Sequence, residues 1–410
     1  MDQHMDLSEL TGRADVPSEH RSAVASLMQG VADGRIGRRD FMVRTASLGL
    51  SGALATELLA SSTAHAAAPM SSRGGGIAAR YKNKTIGVPM FQVADQNEVL
   101  IVDQFRQITR QAGLNWKWLA DDTQGNQQRA QTTIDSYVTR GVDGMFLLVI
   151  PTRWVPAQLA AARAKNIPVI GMNNFSPLFP ALTFEYGPIL GSDAVFLAEY
   201  MVLDQMQRHP TGKIKVGALN VPVDVVQDRV AVFKGIIGLN PRFEIAGGRL
   251  TEVDVANVAA STTQATEALL EKYPDLHCVW SPYPPMAVPC ASAVAQVGKS
   301  SQVQVYGHVA QSAGLGALRD PSNPLTAISW VDLVFWSYQL IEYMLDIFAG
   351  RIQSRFVQYQ NPIPAAVIDK HTVNRVQKVM VNGKLVDTWM FDNGSYRPVF
   401  IERWKRTYTS

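Results

Sequence analysis

Two cysteines in 410 residues, Cys278 and Cys290, are too few for a disulfide-stapled scaffold, and two free, buried thiols are expected. Charge is equally sparse. Charged residues make up 18% of the chain and the formal net charge is +3, with no basic run able to track a phosphate backbone. Nucleic-acid binding is excluded on that ground. No apolar run approaches the ~20 residues of a membrane span; the run Ala46 to Ala60 is shorter and includes Glu57. The seven histidines never fall at metal-ligand spacing, and there is no nucleophile elbow and no phosphate loop. The triplet Gly74-Gly75-Gly76 precedes the first strand-like run instead of following it, so it is no dinucleotide fingerprint. Nothing in the chain asks for a cofactor, a metal or a catalytic role.

What is present begins with an N-terminal segment unlike the rest. Arg38 and Arg39 are followed by Phe41, the weakly apolar run, and the small-residue site Ala64-His65-Ala66. That order is the layout of an export signal, and the adjacent arginines point to the twin-arginine route. Residues 1–66 are assigned to it, and residues 67–81 to a flexible lead-in. The expected location is the periplasm.

From Lys82 onward, strand-like and helix-like segments alternate. "KTIGVPMF" is a short β-branched run. Val99, Val102, Phe105, Ile108 and Ala112 then recur at helical spacing. "NQQRAQTTIDSYVTRG" reads as a helix with Gly141 just past its end. "VDGMFLLVI" and "IPVIGMN" lack polar alternation, as strands buried on both faces do. The beat restarts at "TGKIKVGALN" and continues to "QVQVYGHV", followed by the unit "LTAISWV" and "DLVFWSYQLIEYMLDIFAG". Two runs of alternating strand and helix imply two parallel-sheet lobes of α/β class. The tail "VMVNGKLVDTWMFDNGSYRPVF" carries two N-G turn signals and reads as β-hairpins. "WSPYPPMAVPC" crowds four prolines behind a strand, and Pro289 is expected to mark a helix start or a kink.

The ordered set "ADDTQGNQQRAQTTIDSYVTRGVDGMFLLVIPTRWVPAQLAAARAKNIPVIGMNN", with "DRVAVFKGI", "ALLEKYPDLHCVW" and "VYGHV" after it, resembles the periplasmic sugar-binding proteins of ABC transporters, of the ribose, galactose and xylose type. The resemblance covers roughly residues 82–368. It implies two Rossmann-like, doubly wound lobes joined by a three-segment hinge. The lobes would be residues 82–186 plus 331–357, and 187–330 plus 358–410 with the tail. It also implies ligand positions. Gln92, Asp95, Asn97 and Glu98 fall in the loop after the first strand. Asn173 and Asn174 stand where many relatives carry Asp-Arg. Arg229 falls on the sugar-gripping arginine, with Asp228 placed to orient it, and Asn257 falls where relatives put an aromatic platform.

Three positions depart from that pattern. Tyr283 replaces an amide-carboxylate pair, His308 stands in a segment where a carboxylate is usual, and Trp330 replaces a glutamine with Asp332 two residues on. Tyr283 and Trp330 are candidates to stack on a sugar face. The implied function is solute capture for an ABC-type carbohydrate importer. The ligand would be a neutral sugar, polyol or sugar derivative, delivered to a membrane permease by a monomer. The alternative is a periplasmic sensor presenting its ligand to a chemoreceptor or sensor kinase.

Overall fold

The computed structural model describes residues 76–172, 182–187, 191–352, 363–376, 378–381, 384–387 and 396–409, with isolated positions between 20 and 48. The chain divides into a unit ending at Gly76 and a body from Ile77 onward. In the first unit Arg38, Arg39 and Ala64 to Ala66 lie outside the described residues; Asp40 and Phe41 are helical. Among the described residues no helix is long and apolar enough to cross a membrane.

The body begins as the apolar periodicity dictates. Strand β1 (Thr85–Met90) runs into α1 (Gln96–Gln111), whose buried face carries Ile101, Val102, Phe105 and Ile108. Asp95 caps α1, its side chain accepting from the Asn97 amide at 2.9 Å. Strand β2 (Lys117–Asp122) leads to α2 (Gln127–Arg140), which ends at Gly141 with φ 65°, the left-handed residue a helix terminus favours. Next come β3 (Gly144–Leu148), α3 (Pro156–Ala164), β4 (Val169–Met172) and β5 (Phe184–Tyr186). These five strands form one parallel sheet in the order β2-β1-β3-β4-β5.

The second lobe opens with α4 (Ser192–Arg208), then β6 (Ile214–Asn220), α5 (Asp224–Gly238), β7 (Phe243–Ile245), β8 (Thr251–Glu252) and α6 (Val258–Lys272). It continues through β9 (Cys278–Ser281), α7 (Ala287–Gln296), β10 (Gln304–Gly307), α8 (Ser312–Arg319) and β11 (Leu325–Val331). Helix α9 (Leu333–Phe348) returns to the first lobe, where Phe348 packs edge-on against Trp116. Strand β12 (Ala365–Asp369) then joins the second sheet antiparallel to β11. That sheet runs β12-β11-β10-β9-β6-β7, with β8 pairing β6. Two sheets, parallel but for the edge strand β12, are the α/β architecture the alternation implied.

The prolines resolve simply. Pro284 to Met286 form one 3-10 turn, and α7 follows with Pro289 as its third residue. The first four amides of a helix have no internal partner, so the missing donor costs nothing there. Cys278 and Cys290 are both free and buried.

The tail departs from expectation. β13 (Lys378–Val381) and β14 (Lys384–Asp387) form the hairpin, but from Tyr396 the chain is helical, α10 (Tyr396–Thr407). Pro398 sits in its first turn, where proline is tolerated. Phe400 and Trp404 bury one face against Tyr338 of α9, and Arg403 pairs with Glu342. Helix α10 therefore packs on the first lobe, although β12 belongs to the second. The tail makes a lobe crossing beyond the three of the hinge, and its hairpin lies beside α1 on one lobe and α8 on the other.

Candidate functional site

In parallel α/β sheets ligands sit beyond the carboxyl ends of the strands, and both sheets turn those ends toward one cleft. The first lobe lines it with Asp95, Asn97, Glu98 and Ile101 from the start of α1, Val149 after β3, and Leu333 and Trp336 from α9. The second lobe adds Val225 and Arg229 from α5, Tyr283 and Pro284 after β9, Val309 after β10 and Val331. The cavity between them measures about 40 Å³, enough for a few water molecules, so a sugar ring enters only when the lobes part.

Direct polar contacts hold the lobes together. Gln92 Nε2 donates to the Tyr283 hydroxyl at 2.6 Å, and Gln311 Nε2 donates to Asp95 Oδ1 at 2.8 Å. Arg153 pairs with Asp224 at the rim. Gln92 and Tyr283, read from sequence as separate ligand contacts, bond each other across the closed cleft. Lys234 is exposed and outside the lining.

The wall of the second lobe is a buried ion-pair network. Arg229, 4% exposed, donates from Nε to Asp193 Oδ2 at 3.2 Å and from Nη1 to the Pro282 carbonyl at 3.1 Å. Asp193 Oδ2 also lies 3.2 Å from His308 Nδ1 and accepts from Ser329 Oγ at 3.3 Å. Burial works against the Asp193 charge, but the Arg229 guanidinium and the His308 and Ser329 hydrogen bonds hold its carboxyl far below the usual range. His308 is fully buried, and burial drops its pKa to about 4. A neutral ring whose Nδ1–H points at a carboxylate leaves Nε2 as an acceptor, and Nε2 has no partner. His308 lines a second cavity of about 140 Å³ behind Pro284 and Val309.

The first lobe presents less settled groups. Glu98, 2% exposed, accepts the Gln92 amide at 3.3 Å, and burial together with the Asp95 charge pushes its carboxyl well above the ordinary range. Burial raises Asp95 too, against its hydrogen bonds from Asn97 and Gln311. Asn97 is 5% exposed, and its side-chain amide makes no well-formed hydrogen bond, although it lies close enough to Asp95 to help lower that carboxyl. A poorly paired buried amide costs up to about 1–3 kcal/mol, which makes it a natural ligand contact.

Backbone strain marks both walls. Val149 has φ 59° and Val309 φ 44°, a left-handed conformation that branched side chains avoid.

Several sequence candidates take other places. Asn173 and Asn174 lie outside the described residues. Asn257 is exposed at the end of a 3-10 turn and off the lining. Trp330 is buried in β11, and it is Trp336, one turn into α9, that reaches the cavity. Asp332 caps α9 through the Phe335 amide at 2.8 Å and accepts from the Tyr396 hydroxyl at 3.2 Å, so its work is structural. Asp228 is half-buried and does not orient Arg229; that is the part of Asp193. Asp193 and Trp336 escaped sequence reading, although a lone aspartate in the first turn of an otherwise apolar helix start was a usable signal for the former.

Comparison with known proteins agrees with this fold. The family described as "Periplasmic binding protein domain" matches residues 86–352. No curated protein matches the sequence. Among solved structures, an ABC sugar transporter subunit from Rhodobacter sphaeroides is 18% identical, with 71% of this chain and 99% of that one covered at TM-score 0.62. An ABC transporter solute-binding protein from Agrobacterium vitis with bound allitol is 19% identical, covering 72% and 98% at 0.62. The 5-methylthioribose transporter solute-binding protein from Thermotoga lettingae, in complex with 5-methylthioribose, is 14% identical, covering 80% and 99% at 0.64. At these identities the likeness is one of fold, whereas the family match spans well over half the chain: the protein belongs to the periplasmic binding proteins, which hold small solutes and are not enzymes.

Proposed function

We propose that this protein is the solute-binding component of an ABC-type importer. It would take a polyhydroxylated small molecule, a sugar, polyol or sugar derivative, into the interlobe cleft as a monomer and pass it to a membrane permease. Export by the twin-arginine route to the periplasm is part of the same reading. The observation that carries it is the poorly paired Asn97 amide in a cleft also walled by Glu98 and Arg229. A hydroxyl both donates and accepts, and so satisfies an amide on both sides.

Binding follows from the two lobes. The ligand enters while they are apart, replaces contacts such as Gln92 to Tyr283, and shifts the population toward closure. The closed spacing of the lobe rims is what a permease would read. Both solved neighbours named with a ligand carry one with several hydroxyls, which supports the class. Thermal-shift screening of the full chain against sugars, polyols and glycosides tests it, because a ligand of the native state raises the melting temperature. The expected result is a rise with at least one of them. A rise with amino acids or aromatic compounds but with no carbohydrate or polyol overturns the reading.

A further inference from the structure

We infer that the ligand of the cleft carries a basic nitrogen, as an amino sugar or an amino polyol does, and that this ammonium sits against Asp95 and Glu98. The inference rests on the solute-binding reading above and narrows it.

The argument is a balance of charge and of hydrogen-bond capacity. Asp95 and Glu98 are buried three residues apart in the cavity wall, and Asp122 adds a third negative charge near Glu98. The cationic side chain in the lining, Arg229, is committed to Asp193 and the Pro282 carbonyl, beside a neutral His308. Arg229 reaches Asp95 only through its field, so among the described residues neither carboxyl has a cation in hydrogen-bond contact. Counted by atom, five oxygens around them accept, two on each carboxylate and Asn97 Oδ1, against four donor groups, Asn97 Nδ2, Trp336 Nε1, the Tyr283 hydroxyl and Arg229 Nη2. A sugar hydroxyl adds one donor and two acceptors to that balance. An ammonium adds three donors and no acceptor, and charge-assisted bonds to carboxylates are the stronger kind. Without such a ligand, protonation is the other way to neutralise Glu98, whose proton then leaves when the ammonium arrives.

The test compares matched probes on the full chain by calorimetry: D-glucosamine against D-glucose, and 1-amino-1-deoxy-D-glucitol against D-glucitol. At about pH 6.5 a primary amine carries its proton, and titration in two buffers of different ionisation enthalpy counts protons released. We expect at least one amine to bind about tenfold or more tighter than its neutral partner. Proton release should accompany the amine alone, and the preference should collapse in Glu98→Gln. The proton count is read on the unmodified protein, so it holds even if the variant folds poorly. Neutral probes binding as tightly as the amines, or amines binding without proton release, overturn the inference and leave the carbohydrate reading standing. Binding by none of the four also overturns it, while the wider sugar and polyol screen decides the carbohydrate reading separately.

Discussion

On the second lobe the cleft wall is wired before any ligand arrives: Arg229, Asp193, Ser329 and His308 Nδ1 bond one another. On the first lobe the facing wall is left open, with a poorly paired Asn97 amide and the crowded carboxyls of Asp95 and Glu98. The difference divides the work of binding. A prewired wall fixes geometry at no ordering cost on binding, whereas an unsatisfied wall stores free energy that a ligand of matching chemistry releases. Breaking the comparison means damaging the network on one side or satisfying the orphan on the other.

The largest effect should come from Asp193→Ala. Removing one partner of a buried pair leaves the other charge uncompensated, at about 3–5 kcal/mol. Urea unfolding of the ligand-free chain should show a loss on that scale. Arg229→Ala should lose a similar amount for the mirror-image reason, since it strands the Asp193 carboxylate. A loss under about 1 kcal/mol, the scale of an exposed pair, in either variant would mean that the network is solvated and the wall not prewired.

Acid and base should separate the two walls next. His308 titrates near 4 in the folded chain against an ordinary 6.5, so the unfolded state binds the extra proton between those values. Its contribution is complete above pH 6.5 and is lost as pH falls toward about 4, at up to about 1.4 kcal/mol per unit. Glu98 runs the other way. Its folded carboxyl keeps a proton above the ordinary 4.5, so its contribution is complete below 4.5 and is lost as pH rises through the raised value. Asp193, held low, matters only below 3.8. Denaturant midpoints measured across this range should lose the acid-side slope in His308→Asn and the opposing slope in Glu98→Gln. Parallel profiles in both variants would refute the division.

Asn97→Leu should act more gently and with opposite signs on two measurements. Removing a poorly paired buried amide should raise ligand-free stability by about 1 kcal/mol, while affinity for whichever sugar or polyol binds should fall. A variant less stable than the parent would show that the amide is satisfied, by Asp95 or by water.

How far the sequence anticipated these walls depends on the distance between partners. The alternation of strands and helices, the Gly141 terminus and the apolar stripe of α1 from Val99 to Ala112 are local patterns, and all were legible, whereas Asp95 was read as a loop ligand contact and proves to cap α1. Arg229 was placed by resemblance, but its partners Asp193, His308 and Ser329 come from separate elements of the fold, and no local pattern joins them. Trp330 and Trp336 show a finer limit. One ends a strand and the other begins a helix, so which ring reaches the cavity is decided by the backbone turn at Asp332. In the tail the N-G signals outweighed a helical stripe, Tyr396, Phe400 and Trp404, that repeats every four residues. The stripe was the better guide because it had α9 to pack against.

The smallest prediction concerns the strained valines, one on each wall. A left-handed branched residue costs about 1–2 kcal/mol, and glycine relieves that while adding about 0.4–1 kcal/mol of unfolded-chain entropy. Val149 is half-buried, so Val149→Gly should be neutral to slightly stabilising by thermal unfolding. Val309 is 6% exposed, and losing its side chain forfeits about 1.5–3 kcal/mol of burial, so Val309→Gly should be destabilising. Opposite signs would place releasable strain on the open wall of the first lobe, and on the second lobe strain held in place by packing. Equal losses at both positions would mean that the valines are kept for their side chains, and that the two walls differ in wiring but not in backbone strain.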